Sequence, residues 1–112
     1  MNPILWTPDQ ERAEGSQIMA MARELGFAEP DPIDQLWHWS IENPEAFWQK
    51  VWDLGQVRAS RPAERVLAHG EKMPGAIWFQ GARLNFAENL LRRDDATPAL
   101  IFVGEDGTRR EI

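Results

Sequence analysis

Three times within the first 44 residues, a side chain able to cap a helix stands directly before a proline: Thr7-Pro8, Asp31-Pro32 and Asn43-Pro44. The capping oxygen can accept a hydrogen bond from one of the first helical N–H groups, which have no partner inside the helix. Proline at the first helical position brings a preset φ and has no N–H to lose. This device predicts a run of helices with written starts. The first is expected from Pro8 to Leu25, with Thr7 and Gln10 as a capping box. Ile18, Met21, Ala22 and Leu25 form its apolar stripe, Gly26 ends it, and Gly15 weakens its first two turns. After the connection Ala28 to Pro32, a second helix runs from Pro32 to Ser40 with Ile33, Leu36 and Trp37 on one side. A third runs from Pro44 to Leu54. Phe47, Trp48, Val51 and Trp52 give it one wide aromatic face, and Gly55 closes it.

From Gln56 to Gly81 the pattern loosens. Pro62, Gly70, Pro74, Gly75 and Gly81 punctuate an ordered, irregular connection. Within it, Glu64 to Leu67 reads either as a short strand or as a turn of helix, and Ala76 to Phe79 as a strand. Asn85, with Glu88 three residues on, opens a further helix through Leu91, with Leu84, Ala87, Leu90 and Leu91 inward. Ala99 to Val103 is a run of strand formers, Glu105-Asp106-Gly107 a turn, and Thr108 to Ile112 a returning strand. The expected fold class is therefore mainly α, three to four short Pro-capped helices, followed by a C-terminal β-hairpin. The chain stops at Ile112 in mid-strand, as expected of a piece cut from something longer.

The 112 residues allow one compact domain. With 12 Lys plus Arg against 18 Asp plus Glu, the net charge is −6, which argues against nucleic acid as a partner. No Cys is present, which excludes disulfide scaffolds, thiol catalysis and Cys-based zinc sites. Neither an 18-residue apolar run nor a secretory leader pattern occurs, so a membrane is not an expected partner and the cytoplasm is the expected location. The unusual feature is six Trp beside five Phe.

Chemistry-bearing residues are sparse. The glycines are scattered and make no phosphate cradle. His38 sits between Trp37 and Trp39, with Ser40 two residues away on the opposite helix face, and Glu42 is the nearest further ligand. A structural histidine is the simpler account of that group, and the same holds for His69. The carboxylate pairs Asp94-Asp95 and Glu105-Asp106 fall in turns, where solvation explains them. Arg58, Arg61 and Arg65, with Arg83, Arg92 and Arg93 further on, could meet an anionic ligand such as a nucleotide. Ion pairs with the excess carboxylates are the plainer reading. Trp48 and Trp52 share a stripe with Phe47 and Val51, so packing is favoured over stacking on a ligand.

Longer strings say more. Ile4 to Pro8 with Glu11 and Arg12, then Leu36 to Ser40, Glu42 to Trp48, Met73 to Phe79 and Gly81 to Leu91, taken in order, closely resemble the start of the acetoacetyl-CoA synthetases. These are acetoacetate–CoA ligases of the acyl-adenylate-forming superfamily, related to the acetyl-CoA synthetases. The resemblance implies a parent polypeptide that forms acetoacetyl-adenylate and pyrophosphate from acetoacetate and Mg-ATP, after which CoA thiol displaces AMP. The family's Ser/Thr/Gly-rich phosphate loop, nucleotide-binding Asp and C-terminal Lys all lie downstream. No catalytic, cofactor-binding or metal-binding residue therefore carries over to any position between Met1 and Ile112. ATP, Mg and CoA are implied for the full-length enzyme only.

On this reading residues 1–92 are the family's N-terminal helical extension and residues 93–112 the first hairpin of a truncated nucleotide-binding domain. The partner is the remainder of the synthetase chain. The segment is structural and inactive alone, and in isolation its uncovered apolar faces should make it self-associate. Two rivals stand beside it: a free-standing interaction module using the Trp-rich faces, and a nucleotide-binding regulator using Arg58, Arg61 and Arg65.

Overall fold

The computed structural model describes residues 3–112, so the first two positions of the expected 1–92 segment lie outside the described residues. The chain divides into two units, residues 1–50 and 51–112.

In the first unit the expected opening helix is two helices, α1 (Gln10–Glu14) and α2 (Gln17–Glu24). Ser16 makes the break. Its hydroxyl donates to Ala13 O at 2.7 Å, and its oxygen accepts from the Met19 N–H at 3.3 Å, so one side chain closes α1 and caps α2. The Thr7 capping box does not start α1. Asp9 is the N-cap, with Oδ1 accepting from the Arg12 N–H at 2.8 Å; its carboxylate, two residues later, captures the same kind of orphan donor.

The end of α2 follows expectation. Gly26 has φ +82°, its N–H reaches Arg23 O, and the Phe27 N–H reaches Ala22 O, each at 2.9 Å. This is the Schellman arrangement. Helix α3 (Pro32–Glu42) starts where the sequence predicts, with Asp31 Oδ1 accepting from the Asp34 N–H at 3.0 Å. It runs two residues past Ser40.

Helix α4 (Pro44–Leu54) has the predicted bounds, and its last four residues belong to the second unit. The Asn43 amide donates backward to Trp39 O at 3.1 Å, finishing α3. Met21, Ala22, Pro32 and Leu36 are buried where α2 packs on α3. Phe27 meets Trp39 edge-on at 6.4 Å. Ile18 and Trp37, expected inward, are exposed.

In the second unit, Gly55 is not the left-handed residue that ends α4. Gln56 is, at φ 48°, with its N–H to Asp53 O and the Val57 N–H to Trp52 O. A ribbon follows. Strand β1 (Ala59–Arg61) pairs with β4 (Arg83–Leu84), and β2 (Arg65–Ala68) pairs with β3 (Ile77–Gln80), both antiparallel. The Glu64 N–H to Gln80 O bond at 2.8 Å joins the two pairs, so 59–68 and 77–84 form one bent two-stranded arm. Of the two readings for Glu64 to Leu67, the strand is correct. Leu67 and Ala68 are buried, and Phe79, held at φ 46°, stacks on Trp52 at 4.5 Å.

Helix α5 (Phe86–Leu90) is capped by Asn85 as expected, but Leu84, Leu90 and Leu91 are 52, 67 and 65 % exposed rather than inward. The hairpin forms as β5 (Ile101–Val103) and β6 (Arg109–Glu111), with Gly107 at φ +80° in its turn and every strand residue exposed. Among the described residues the fold is thus helices plus three small antiparallel strand pairs. No described helix is long and apolar enough to cross a membrane.

Candidate functional site

The histidine group does not assemble a nucleophile. His38 Nε2 lies 3.4 Å from Asp34 Oδ2, one helical turn away, with both side chains more than half exposed. Ser40 is turned elsewhere, its hydroxyl donating to Trp37 O at 2.7 Å. This is a surface pair on α3, and the sequence spacing already placed Ser40 on another face. His69, at φ 56°, stands 3.9 Å from Glu71. No three described His, Asp or Glu side chains stand close enough together to hold a metal ion.

Several arginines are engaged with carboxylates. Arg61 pairs with Glu64, whose carboxylate lies over Gly81; a Cβ there would come 3.1 Å from Glu64 Oε1. Arg93 faces Asp95 at 3.7 Å, and Arg109 faces Glu111 at 2.6 Å. Of the six arginines singled out in the sequence, Arg61 and Arg93 thus stand in ion pairs, the plainer of the two readings.

Arg58 matters through its backbone. Its N–H donates to Asn89 Oδ1 at 2.7 Å, and Asn89 Nδ2 donates back to Arg58 O at 2.8 Å and to Asn85 O at 3.0 Å. Arg92 Nε completes the cluster by donating to Asn89 O at 2.7 Å. One amide side chain thus ties α5 to the segment ahead of β1, 31 residues earlier in the chain. Sequence spacing carries no signal for this clasp, because Asn89 reads only as a polar position on a short helix.

The turn carboxylates are local. The Thr97 hydroxyl and N–H hold the Asp95 carboxyl below its ordinary range, and the Thr108 N–H and hydroxyl do the same for Asp106. Of the aromatic face on α4, Phe47, Val51 and Trp52 are half-buried and Trp48 is exposed. Trp52 spends its ring on Phe79, which is packing. An open apolar depression of about 510 Å³ lies over the hairpin, lined by Leu100, Ile101, Phe102, Arg110 and Ile112.

These residues are suited to packing against protein. The family model described as acetyl-coenzyme A synthetase N-terminus matches residues 33–90. The chain is similar to an acetoacetyl-coenzyme A synthetase from Rhizobium meliloti (strain 1021), 40 % identical over 108 residues, covering 91 % of the chain and 16 % of that protein. It is similar to a malonamoyl-CoA synthetase from Penicillium aethiopicum, 43 % identical over 81 residues, covering 66 % and 11 %. Among solved structures, the acetoacetyl-CoA synthetase from Streptomyces lividans matches with a TM-score of 0.74 and 35 % identity, over 98 % of this chain and 18 % of that one. The chain therefore spans about one sixth of the length of the curated acetoacetyl-CoA synthetases it matches.

Proposed function

This chain belongs to the acetyl-coenzyme A synthetase N-terminus family, and from that premise we propose that it is the N-terminal portion of an acetoacetate–CoA ligase, structural and without catalytic groups of its own. One observation carries the reading. Nearly the whole chain aligns with acetoacetyl-CoA synthetases while covering only 16 to 18 % of them. The exposure of Leu90, Leu91, Phe102 and Ile112 supports it, because such faces are covered in a finished domain.

In the parent enzyme, acetoacetate and ATP give acetoacetyl-adenylate and pyrophosphate, and CoA then displaces AMP. ATP, Mg and CoA bind the remainder of the polypeptide, in the cytoplasm, and the present segment buttresses that remainder. Its domain boundary is proposed at residues 92/93, where the hairpin of the large domain begins. The choice of acetoacetate follows from likeness alone, and the malonamoyl-CoA synthetase relative makes the acyl group a matter for assay.

The test is the intact mass of the native product, detected with an antibody raised against these residues. A polypeptide several times 12.9 kDa supports the reading. A native product of 12.9 kDa overturns it and favours the interaction module, to which the exposed Trp37 and Trp48 would then belong. Titration of the 112-residue chain with ATP, AMP and CoA is expected to show no binding; saturable nucleotide binding would favour the regulator instead.

A further inference from the structure

We propose that the hairpin turn holds a latent self-modification site, Asp106-Gly107, where aspartate rearranges to isoaspartate, and that Thr108 keeps it closed in the folded chain. The proposal goes beyond the ligase reading and does not rest on it. The reaction is intramolecular and takes only water from outside.

The sequence narrows the place. An aspartyl carboxyl closes onto the next backbone nitrogen most readily when the next residue is glycine, which has no Cβ to hinder the approach and a backbone free to turn. Of the seven aspartates only Asp106 precedes a glycine, and no asparagine does. Gly107 has φ +80°, and a Cβ built there would meet nothing within 4 Å, so the flank of this peptide is open.

The chemistry sets the requirements. The Gly107 nitrogen, freed of its proton, attacks Asp106 Cγ. An N–Cγ bond forms, one carboxyl oxygen leaves as water, and a succinimide ring remains. Water then opens the ring. Breaking the N–Cγ bond restores aspartate. Breaking the bond from Gly107 N to the Asp106 backbone carbonyl carbon routes the chain through Cβ and Cγ. The water lost is regained, nothing is oxidised or reduced, and the backbone gains one methylene.

The folded turn opposes each requirement. Asp106 Oδ1 accepts from the Thr108 N–H at 2.9 Å, and Oδ2 accepts from the Thr108 hydroxyl at 2.8 Å. Bonds to the ionised form keep a carboxyl deprotonated, and an ionised oxygen is a poor leaving group. Together they also fix the carboxyl group, which ring closure needs free to swing onto the nitrogen. The Gly107 N–H donates to Gly104 O at 3.0 Å, so the proton of the nucleophile is held as well.

A matched comparison stands in the same chain. Asp95 Oδ1 accepts from the Thr97 N–H at 2.9 Å, and the Thr97 hydroxyl and N–H lower its carboxyl in the same way. The residue after it is Ala96. The clamp is repeated, but the nucleophile carries a Cβ beside it. Trypsin, cutting after Arg93 and Arg109, releases both aspartates in one peptide, residues 94–109.

The 112-residue chain is incubated at neutral pH, folded and in urea, and isoaspartate in that peptide is located by electron-transfer fragmentation. It should accumulate at position 106 and not at 95, faster in urea than in the folded chain. Folded Thr108→Val should form it about two to ten times faster than the unmodified chain, the rate equivalent of one lost hydrogen bond. Thr108→Ser, which retains the hydroxyl, should keep the unmodified rate. NMR contacts between the paired Phe102 and Arg110 check that the hairpin survives each substitution. Asp106→Glu, whose ring would be one atom larger, should remove the signal. Equal rates in urea and in the folded chain overturn the proposal. So does a Thr108→Val rate equal to the unmodified one, isoaspartate as abundant at position 95, or a signal that survives Asp106→Glu.

Discussion

At the scale of single residues, the ends of α2 and α4 form a natural pair. Both helices close in the same bonded pattern, one with Gly26 at φ +82° and the other with Gln56 at φ 48°. A residue with a Cβ is strained in that region and glycine is not. Gln56→Gly should therefore stabilise the chain by about 0.5–1 kcal/mol, read as a raised denaturant midpoint. Gly26→Ala should lose a similar amount although nothing lies within 4 Å of the new methyl, so the loss would be conformational rather than steric. If both substitutions leave the midpoint in place, the left-handed assignments are wrong. Asn89 offers a second test. Its amide satisfies the Arg58 N–H and C=O and Asn85 O together, and Asn89→Ala should lower stability by about 1–2 kcal/mol. An unchanged urea midpoint would mean that water replaces the clasp without loss.

At the scale of elements, legibility follows the range of the interaction that decides each one. Asp31-Pro32, the Asn85 cap and Gly26 work through bonds three to five residues long, and the sequence shows them. Thr7 misled because the following proline and Gln10 make it look like a complete start, while Asp9, the stronger N-cap residue type, takes the role two residues later. Ser16 was hidden for a related reason: a serine that bonds backward and forward at once looks like any polar position. The ribbon's outer pair, β1 with β4, depends on partners more than 20 residues apart and was not anticipated. Leu84, Leu90 and Leu91 have the spacing of a buried face, but periodicity marks a face without saying what covers it.

The hairpin turn permits a check on its chemistry. Thr108 holds the Asp106 carboxyl below its usual range through its N–H and hydroxyl. A carboxylate with a depressed native pKa adds stability above its unfolded value and loses it as pH falls through the native one. Thr108→Val removes the hydroxyl bond, so the Asp106 titration followed by NMR should move toward the ordinary carboxylate range. No movement would assign the depression to the backbone N–H alone.

At the scale of the whole molecule, the deciding quantity is uncovered apolar surface. Only Met21, Ala22, Leu36, Leu67 and Ala68 are buried hydrophobic residues among those described, while Phe86, Leu90, Leu100 and Phe102 are each more than half exposed. Hydrophobic stabilisation scales with area removed from water, at about 25 cal/mol per Å², so the chain forgoes much of what a domain of its length ordinarily gains. The helices have their caps and the ribbon has its ladder, so secondary structure should persist while tertiary cooperativity is weak. The 112-residue chain should therefore melt over a broad range by circular dichroism and enhance the fluorescence of a hydrophobic dye. The dye signal should fall as chain concentration rises, since self-association covers the same faces. A sharp two-state melt with no dye enhancement at any concentration would show that these residues complete a core unaided, and the need for a covering partner, whether a second copy or the rest of a synthetase, would disappear.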